Sequence, residues 1–185
     1  MSSRSLIVCL LPLAALLAGC DTGSPVATQA NDTSPAQAEA PKPAGTLDRS
    51  HKGEAAPTTA FETPEGKSTT LAAFRGKPVL VNLWATWCGP CVAELPTLDA
   101  LARSNAVRVV AVAQDTDAKK VAPFLAGRGV SLAAYRDPML GLSTAYQANL
   151  PTTILLDAAG HEIWRVAGGF EWNTPAAAKL IAEAK

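Results

Sequence analysis

Two cysteines three residues apart, Cys88 and Cys91, are the feature that most constrains the fold of this chain. They lie in the sequence WCGPC (87–91), directly after the apolar segment 79–84 and before 92–103, which has helical periodicity. This order places the first cysteine at a helix N-terminus, where the helix dipole and free N–H groups favour the reactive thiolate. The second cysteine lies one helical turn later, close enough to form a disulfide with the first. The pattern predicts a redox-active cysteine pair.

Two other interpretations of the cysteine pair are weaker. A zinc site would need two more ligands, but the chain has no second CxxC and only two histidines, His51 and His161. A purely structural disulfide between residues so close in sequence would barely constrain the unfolded chain. We therefore expect a redox role, with no metal and no cofactor other than the Cys88–Cys91 disulfide itself.

Residues 1–19 have the features of a signal peptide. Arg4 provides a positive start, and the apolar run 6–17 is too short to span a bilayer as a helix. The end of this segment, Leu-Ala-Gly before Cys20, resembles a bacterial lipobox, in which cleavage precedes the cysteine and the cysteine is lipidated. An ordinary signal peptide cleaved after small residues is the alternative.

The composition changes after Cys20. Residues 21–57 contain no aromatic side chain and five prolines, with Val26 and Leu47 as the only larger aliphatics. Such a segment buries too little apolar surface to offset the entropy lost on ordering. We predict that 20–57 is a lipidated, disordered Ala/Pro-rich tether and that 58–185 is the folded domain.

The folded part has the pattern of an α/β domain. Three nearly continuous apolar segments of strand length occur, at 79–84, 107–113 and 153–156. Continuous apolar strands are typical of a sheet covered on both faces, and amphipathic segments lie between them. The Asp-Pro pair at 137–138 and the Thr-Pro pair at 174–175 are helix-start signals. The sequence predicts three layers: a mixed central sheet with flanking helices.

Two stretches resemble the thioredoxin superfamily and, within it, the TlpA/ResA-like thiol-disulfide oxidoreductases. They are 78–91, PVLVNLWATWCGPC, and 150–153, LPTT. Pro96 matches a proline in the active-site helix of that family. The resemblance covers 58–185 and implies a thioredoxin-like fold. The long stretch 115–150 resembles the extra helix and strand that TlpA-like proteins insert.

The resemblance also implies a substrate-binding surface around the catalytic cysteines. Pro151 matches the cis-proline that lies opposite them and presents the substrate backbone, and Leu150 would line the groove. Trp87, Gly89 and Pro90 would contribute the other side. The alternative for Pro151 is an ordinary proline at a strand start, where a missing N–H is tolerated.

A third catalytic residue is predicted at Glu94. Plain thioredoxins carry a buried aspartate at the position of Asn82, and an amide cannot accept a proton. Glu94 lies three residues after Cys91 on the same helix, where TlpA/ResA-like proteins have a glutamate that exchanges protons with the cysteines. Burial would raise its pKa into a useful range. The alternative is a solvated glutamate favoured by the helix dipole.

These features together predict an extracytoplasmic, membrane-tethered disulfide reductase. Its partners would be protein disulfides, with apocytochrome c as one class, and a DsbD-like membrane thiol donor. Thr152 stands where cytochrome-dedicated members often carry an acidic residue, which leaves a more general reductase open. The lipobox at Cys20 predicts a periplasm-facing, lipid-anchored location, and Asp21, directly after it, resembles a signal for retention in the inner membrane. The chain has 16 basic and 16 acidic residues and no basic stripe, so no nucleic-acid partner is expected.

Two rival functions use the same cysteines. The first is an oxidase or isomerase, although Gly89-Pro90 resembles reducing thioredoxins rather than strong oxidants. The second is a thioredoxin-like copper chaperone, which the lack of a histidine near the cysteines makes weaker.

Overall fold

The structure is a computed structural model that describes residues 45–184. The predicted signal peptide, Cys20 and the first part of the predicted tether lie outside these residues. The described strands are β1 (Thr46–Asp48), β2 (Phe61–Glu62), β3 (Ser68–Thr69), β4 (Val79–Trp84), β5 (Arg108–Ala113), β6 (Tyr135–Arg136), β7 (Thr152–Leu156) and β8 (Glu162–Ala167). The helices are α1 (Gly89–Arg103), α2 (Val121–Ala126), α3 (Gly141–Tyr146) and α4 (Pro175–Ala182), with a short 3-10 helix at Leu71–Phe74.

The strands form one mixed sheet in the order β1-β8-β7-β4-β5-β6-β2-β3. The central strand β4 pairs in parallel with β5 and antiparallel with β7. All six residues of β4 are buried, as the continuous apolar segment 79–84 predicts. The mixed sheet with helices on its faces confirms the predicted fold class.

Successive side chains of β4 point into different cores, because strand residues alternate between the two faces of a sheet. Leu80 and Trp84 belong to a cluster with side chains of α1, α2 and α4. Val81 and Leu83 belong to a second cluster, which contains side chains of α3 and of the 3-10 helix. The sheet is therefore the middle of three layers, and the helix that begins with the cysteines packs on one of its faces.

Helix α1 begins at the cysteine motif, which confirms the predicted position of the first cysteine at a helix N-terminus. Cys88 is its N-cap, and the sulfur of that residue accepts a hydrogen bond from the backbone N–H of Cys91 at 3.3 Å. Pro90 lies in the first turn, where the missing N–H has no intrahelical partner to lose. The cap brings the whole cysteine motif into the helix start.

The helix start predicted at 137–138 is wrong by three residues, because α3 begins at Gly141. The buried carboxylate of Asp137 accepts the N–H groups of Gly141 and Leu142, at 3.1 and 2.7 Å. Leu140, which lies between Asp137 and Gly141 in the chain, takes a left-handed conformation with φ of 57°. Asp137 therefore caps α3 across a short loop. The helix α3 and strand β6 both fall within the predicted insertion, 115–150.

The predicted boundary between tether and domain, at residue 57, is also wrong. β1 pairs antiparallel with β8, and Gly53 and Glu54 exchange backbone hydrogen bonds of 2.8 Å with Glu162. Gly45 lies so close to the sheet that a side chain there would come within 2.7 Å of the carbonyl oxygen of Gly168. Residues 45–57 are ordered by backbone pairing with β8, which makes β1 the edge of the sheet and requires little apolar surface.

Among the helices of residues 45–184, none combines the length and the apolar character that crossing a membrane requires.

Candidate active site

Cys88 and Cys91 form a disulfide with a Cα–Cα distance of 5.3 Å. The two sulfurs differ in accessibility: the Cys88 residue is 7% exposed and borders an open groove, whereas Cys91 is 0% exposed. A substrate can therefore reach the first cysteine and not the second. The N–H of Cys91, which hydrogen bonds to the Cys88 sulfur, also favours negative charge on that sulfur.

Pro151 follows a cis peptide bond with Leu150, as the resemblance implied. It directly precedes β7, whose antiparallel register with β4 sets Thr152 opposite Leu83. The start of β7 therefore lies at the end of β4 from which the cysteine motif continues. The carbonyl oxygen of Pro151 accepts the N–H of Gly168 at 2.8 Å, which joins it to the loop after β8.

A groove of about 620 Å³ opens beside Cys88. Its lining includes Cys88 and three of the predicted substrate-binding residues, Trp87, Pro90 and Leu150. The predicted residues Gly89 and Pro151 do not line it. The opposite wall comes from α3 and the residues on either side of that helix, which sequence patterns alone did not assign to the site.

Glu94 is 4% exposed, which excludes the alternative of a solvated helix glutamate. One carboxylate oxygen, Oε1, accepts a hydrogen bond from Nδ2 of Asn82 at 2.6 Å, and Oε2 accepts the N–H of Phe170 at 3.1 Å. Burial raises the pKa of this carboxyl from 4.5 to about 7. The bonds from Phe170 and Asn82, and the Trp172 side chain, oppose that rise. The charged and neutral forms are thus comparably populated near neutral pH.

Asn82 connects Glu94 to the sheet. Its Nδ2 also donates to Oγ1 of Thr153 at 2.9 Å, across the β4–β7 pairing that sets these two residues opposite each other. The Asn82 oxygen, Oδ1, is buried without a hydrogen-bond partner in the described structure. The bond between Asn82 and Thr153 can be predicted from the sequence only if the antiparallel register of β4 and β7 is known.

The site has no evident place for a metal. Within residues 45–184, no group of three or more His, Cys, Asp or Glu side chains is arranged to hold an ion. The chemistry that the arrangement supports is the exchange of electrons between a cysteine pair and a disulfide in the groove.

Comparison with known proteins gives the same chemistry. The family model described as Redoxin matches residues 51–181. The thiol-disulfide oxidoreductase ResA of Halalkalibacterium halodurans is 34% identical over 121 residues, which are 63% of this chain and 69% of that protein. The thiol:disulfide interchange protein DsbE of Yersinia pestis is 38% identical over 122 residues, 63% of this chain and 64% of its own. The crystal structure of a DsbE protein of Chlorobium tepidum superimposes with a TM-score of 0.59 at 27% identity, covering 72% of this chain and 94% of that one.

Proposed function

Since the chain belongs to the Redoxin family and is a thiol-disulfide oxidoreductase of the ResA and DsbE type, we propose that it reduces protein disulfides outside the cytoplasm. The observation that carries this proposal is the unequal exposure of the two sulfurs at the groove. Cys88 is the nucleophile that a substrate disulfide can reach. Cys91 is the resolving cysteine, which no external disulfide can reach first.

The reaction begins from the dithiol form. The Cys88 thiolate attacks one sulfur of the substrate disulfide, a mixed disulfide forms, and the other substrate sulfur leaves as a thiolate. Cys91 then loses its proton and attacks the Cys88 sulfur, which releases the second substrate thiolate. Two electrons have moved to the substrate, and the protein is left with the Cys88–Cys91 disulfide seen in the structure.

Glu94 accepts the proton of Cys91 in the second step. It lies one helical turn from Cys91, it is buried beside the same sheet, and a pKa of about 7 leaves roughly half of the carboxyl able to accept a proton at neutral pH. A group with an ordinary carboxyl pKa would be a weaker base for a thiol.

The proposed location and partners rest on the sequence. A signal peptide ending before Cys20, and lipidation of that cysteine, would hold the domain on the periplasmic side of the inner membrane, consistent with Asp21. A DsbD-like membrane thiol relay would return the protein to its dithiol form, because the surrounding compartment is oxidising. Apocytochrome c cysteines are one substrate class. A wider range of protein disulfides is the alternative, because Thr152 stands after the cis-proline where cytochrome-dedicated members of the resembled family often carry an acidic residue.

The first experiment separates the roles of the two cysteines. Cys91→Ser, expressed in cells, is expected to accumulate mixed disulfides on Cys88, and Cys88→Ser is the matched control that should not. Failure of Cys91→Ser to capture any protein by a reducible bond would contradict the exchange mechanism.

The direction of electron transfer is tested by the reduction potential of the Cys88–Cys91 pair. A potential near or below about −230 mV supports a reductase, and one near about −120 mV marks an oxidase. Membrane association unchanged by Cys20→Ala would contradict the lipid anchor.

A further inference from the structure

The groove beside Cys88 is free of charge. Apart from the cysteine motif and the two leucines, Leu140 and Leu150, its lining consists of Ala148 and of amide and hydroxyl side chains: Gln114 after β5, and Ser143, Thr144, Gln147 and Asn149 on or near α3. No Asp, Glu, Lys, Arg or His is among the residues that line it in the described part of the chain. A charged substrate side chain would lose hydration here without gaining an ionic partner.

The rim of the groove is apolar. Four large hydrophobic side chains are exposed within residues 45–184: Leu47 on β1, and Trp87, Met139 and Leu140, the last three at 68%, 84% and 44% exposure. Trp87 and Leu140 line the groove directly, and Met139 precedes Leu140 in the chain. Exposed apolar groups gathered beside a reactive sulfur indicate a surface that is covered when a partner binds.

Leu140 is held in place before any partner arrives. Its left-handed conformation is unfavourable for a residue with a side chain, by about 1 kcal/mol. The loop is fixed because the carboxylate of Asp137 accepts two N–H groups of α3. The carbonyl oxygen of Leu140 itself accepts both the N–H and the hydroxyl of Thr144, at 2.9 and 2.8 Å. A loop whose backbone is fixed in this way presents the Leu140 side chain to a partner without itself being ordered on binding.

We propose that Leu140 is a specificity-determining residue, and that the groove selects protein disulfides whose flanking residues are uncharged. The occupant is an extended segment of a substrate polypeptide, since Cys88 is part of the lining and the segment must bring its disulfide to that sulfur. An apolar substrate side chain packs between Leu140 and Trp87. The neutral amides and hydroxyls of the α3 wall bond to its backbone. This inference rests on the proposed function and adds the substrate class to it.

The test compares disulfide-bridged peptides of equal length whose cysteines are flanked by leucine and alanine, by glutamate, or by lysine. Reduced full-length protein is mixed with each peptide, and the second-order rate constant is divided by that of dithiothreitol with the same peptide. The division removes differences in the intrinsic reactivity of the disulfides. Hydroxyethyl disulfide, too small to span the groove, reports the reactivity of the cysteine pair alone.

We expect the neutral peptide to be reduced about tenfold faster than either charged peptide, since burying an apolar side chain is worth that much or more. In Leu140→Gly, which keeps the left-handed backbone favourable, the ratio of neutral to charged rates is expected to fall towards one. That ratio is measured on one sample, so it does not depend on the folded fraction. Leu47→Ser, on β1 outside the groove, is the matched control and should keep the wild-type ratio.

Three results would overturn the inference. Equal normalised rates for all peptides, or one charged peptide faster than the neutral one, would show that the groove does not select uncharged segments. A neutral preference that persists in Leu140→Gly would remove the role of this residue. In each of these cases reduction of hydroxyethyl disulfide shows that the proposed function survives. If hydroxyethyl disulfide is not reduced either, both the proposed function and this inference fail.

Discussion

The side-chain amide of Asn82 donates a hydrogen bond of 2.6 Å to Oε1 of Glu94, in the interior of the protein beside the cysteine pair. The same nitrogen donates to Thr153, so both of its hydrogens are used and it faces the carboxyl group as a donor. A donor favours the ionised carboxylate, and burial favours the neutral acid. Burial outweighs the N–H of Phe170, the amide of Asn82 and the side chain of Trp172, and the pKa of Glu94 is raised to about 7.

Asn82→Leu should raise the pKa of Glu94 above its wild-type value. The substitution removes a hydrogen bond to a charged group, worth about 1.5–3 kcal/mol, and leaves burial in place. Carboxyl carbon shifts of Glu94, followed by NMR against pH, measure the change. Thr153→Val is the control, since it removes the other partner of Asn82 and no direct bond to Glu94. An unchanged Glu94 titration in Asn82→Leu would mean that this bond does not set the pKa.

Glu94 should also make the folded protein less stable as the pH rises. Its pKa is about 7 in the folded state and near 4.5 in an ordinary environment, so the folded state binds more protons between these values. The favourable contribution is complete below about pH 4.5 and is lost as the pH rises through 7, by up to about 3 kcal/mol. Urea unfolding from pH 4.5 to 8 measures it.

The glutamine in Glu94→Gln cannot ionise, so this variant should lack the loss of stability that ionisation of Glu94 causes in the wild type. The unfolding free energy of the wild type minus that of Glu94→Gln should therefore decrease as the pH rises from 4.5 to 8. A constant difference between wild type and Glu94→Gln over the whole range would show that Glu94 does not titrate there.

The buried ion pair of Arg165 and Glu162 should matter far more to stability than an exposed pair of equal length. Arg165 donates twice to Glu162, each bond at 2.6 Å, and also donates to the carbonyl oxygen of Tyr146 at the end of α3. Glu162→Gln leaves a buried charge without its partner and should cost about 3 kcal/mol. Glu183→Gln breaks the exposed pair with Arg49, also 2.6 Å long, and should cost less than about 1 kcal/mol. Equal losses in chemical denaturation would contradict this account.

Residues 45–57 should contribute to stability despite their composition. A chain that begins at residue 58 lacks β1 and the paired bonds to Glu162, and it exposes the edge of β8. Each backbone hydrogen bond contributes about 1 kcal/mol net, so we expect a loss of about 2–4 kcal/mol relative to a chain that begins at residue 45. Equal denaturation midpoints for the two chains would show that residues 45–57 do not contribute to the free energy of unfolding.

The parts of the fold that the sequence predicts are those in which local pattern and tertiary structure agree. The strand 79–84 is continuously apolar because both of its faces are covered, and Thr174 caps α4 as its pairing with proline indicates. The sequence predicts the start of α3 three residues too early, because Asp137 reaches over a left-handed residue to the helix N–H groups. It does not predict β1, because an edge strand is held by backbone groups, which composition does not report.

The site divides in the same way. The cysteine pair is a short local signal, and the cis-proline at 151 is implied by the resemblance of residues 150–153 to the thioredoxin superfamily. The burial of Glu94 depends on the loop after β8, where the N–H of Phe170 meets its carboxylate, and no local pattern contains that contact. The wall made by α3 depends on how the insertion packs against the sheet.

The chain reaches the fold close to the reactive cysteines. The N–H of Gly45 donates to the carbonyl oxygen of Gly169 at 2.9 Å, and a side chain at Gly169 would touch Pro90 of the cysteine motif. Gly45, where the described chain begins, therefore lies on the same side of the domain as the cysteine motif. If the preceding residues anchor the protein to a membrane, the reactive face lies near the point of attachment. The disulfides closest to the bilayer are then the ones within its reach.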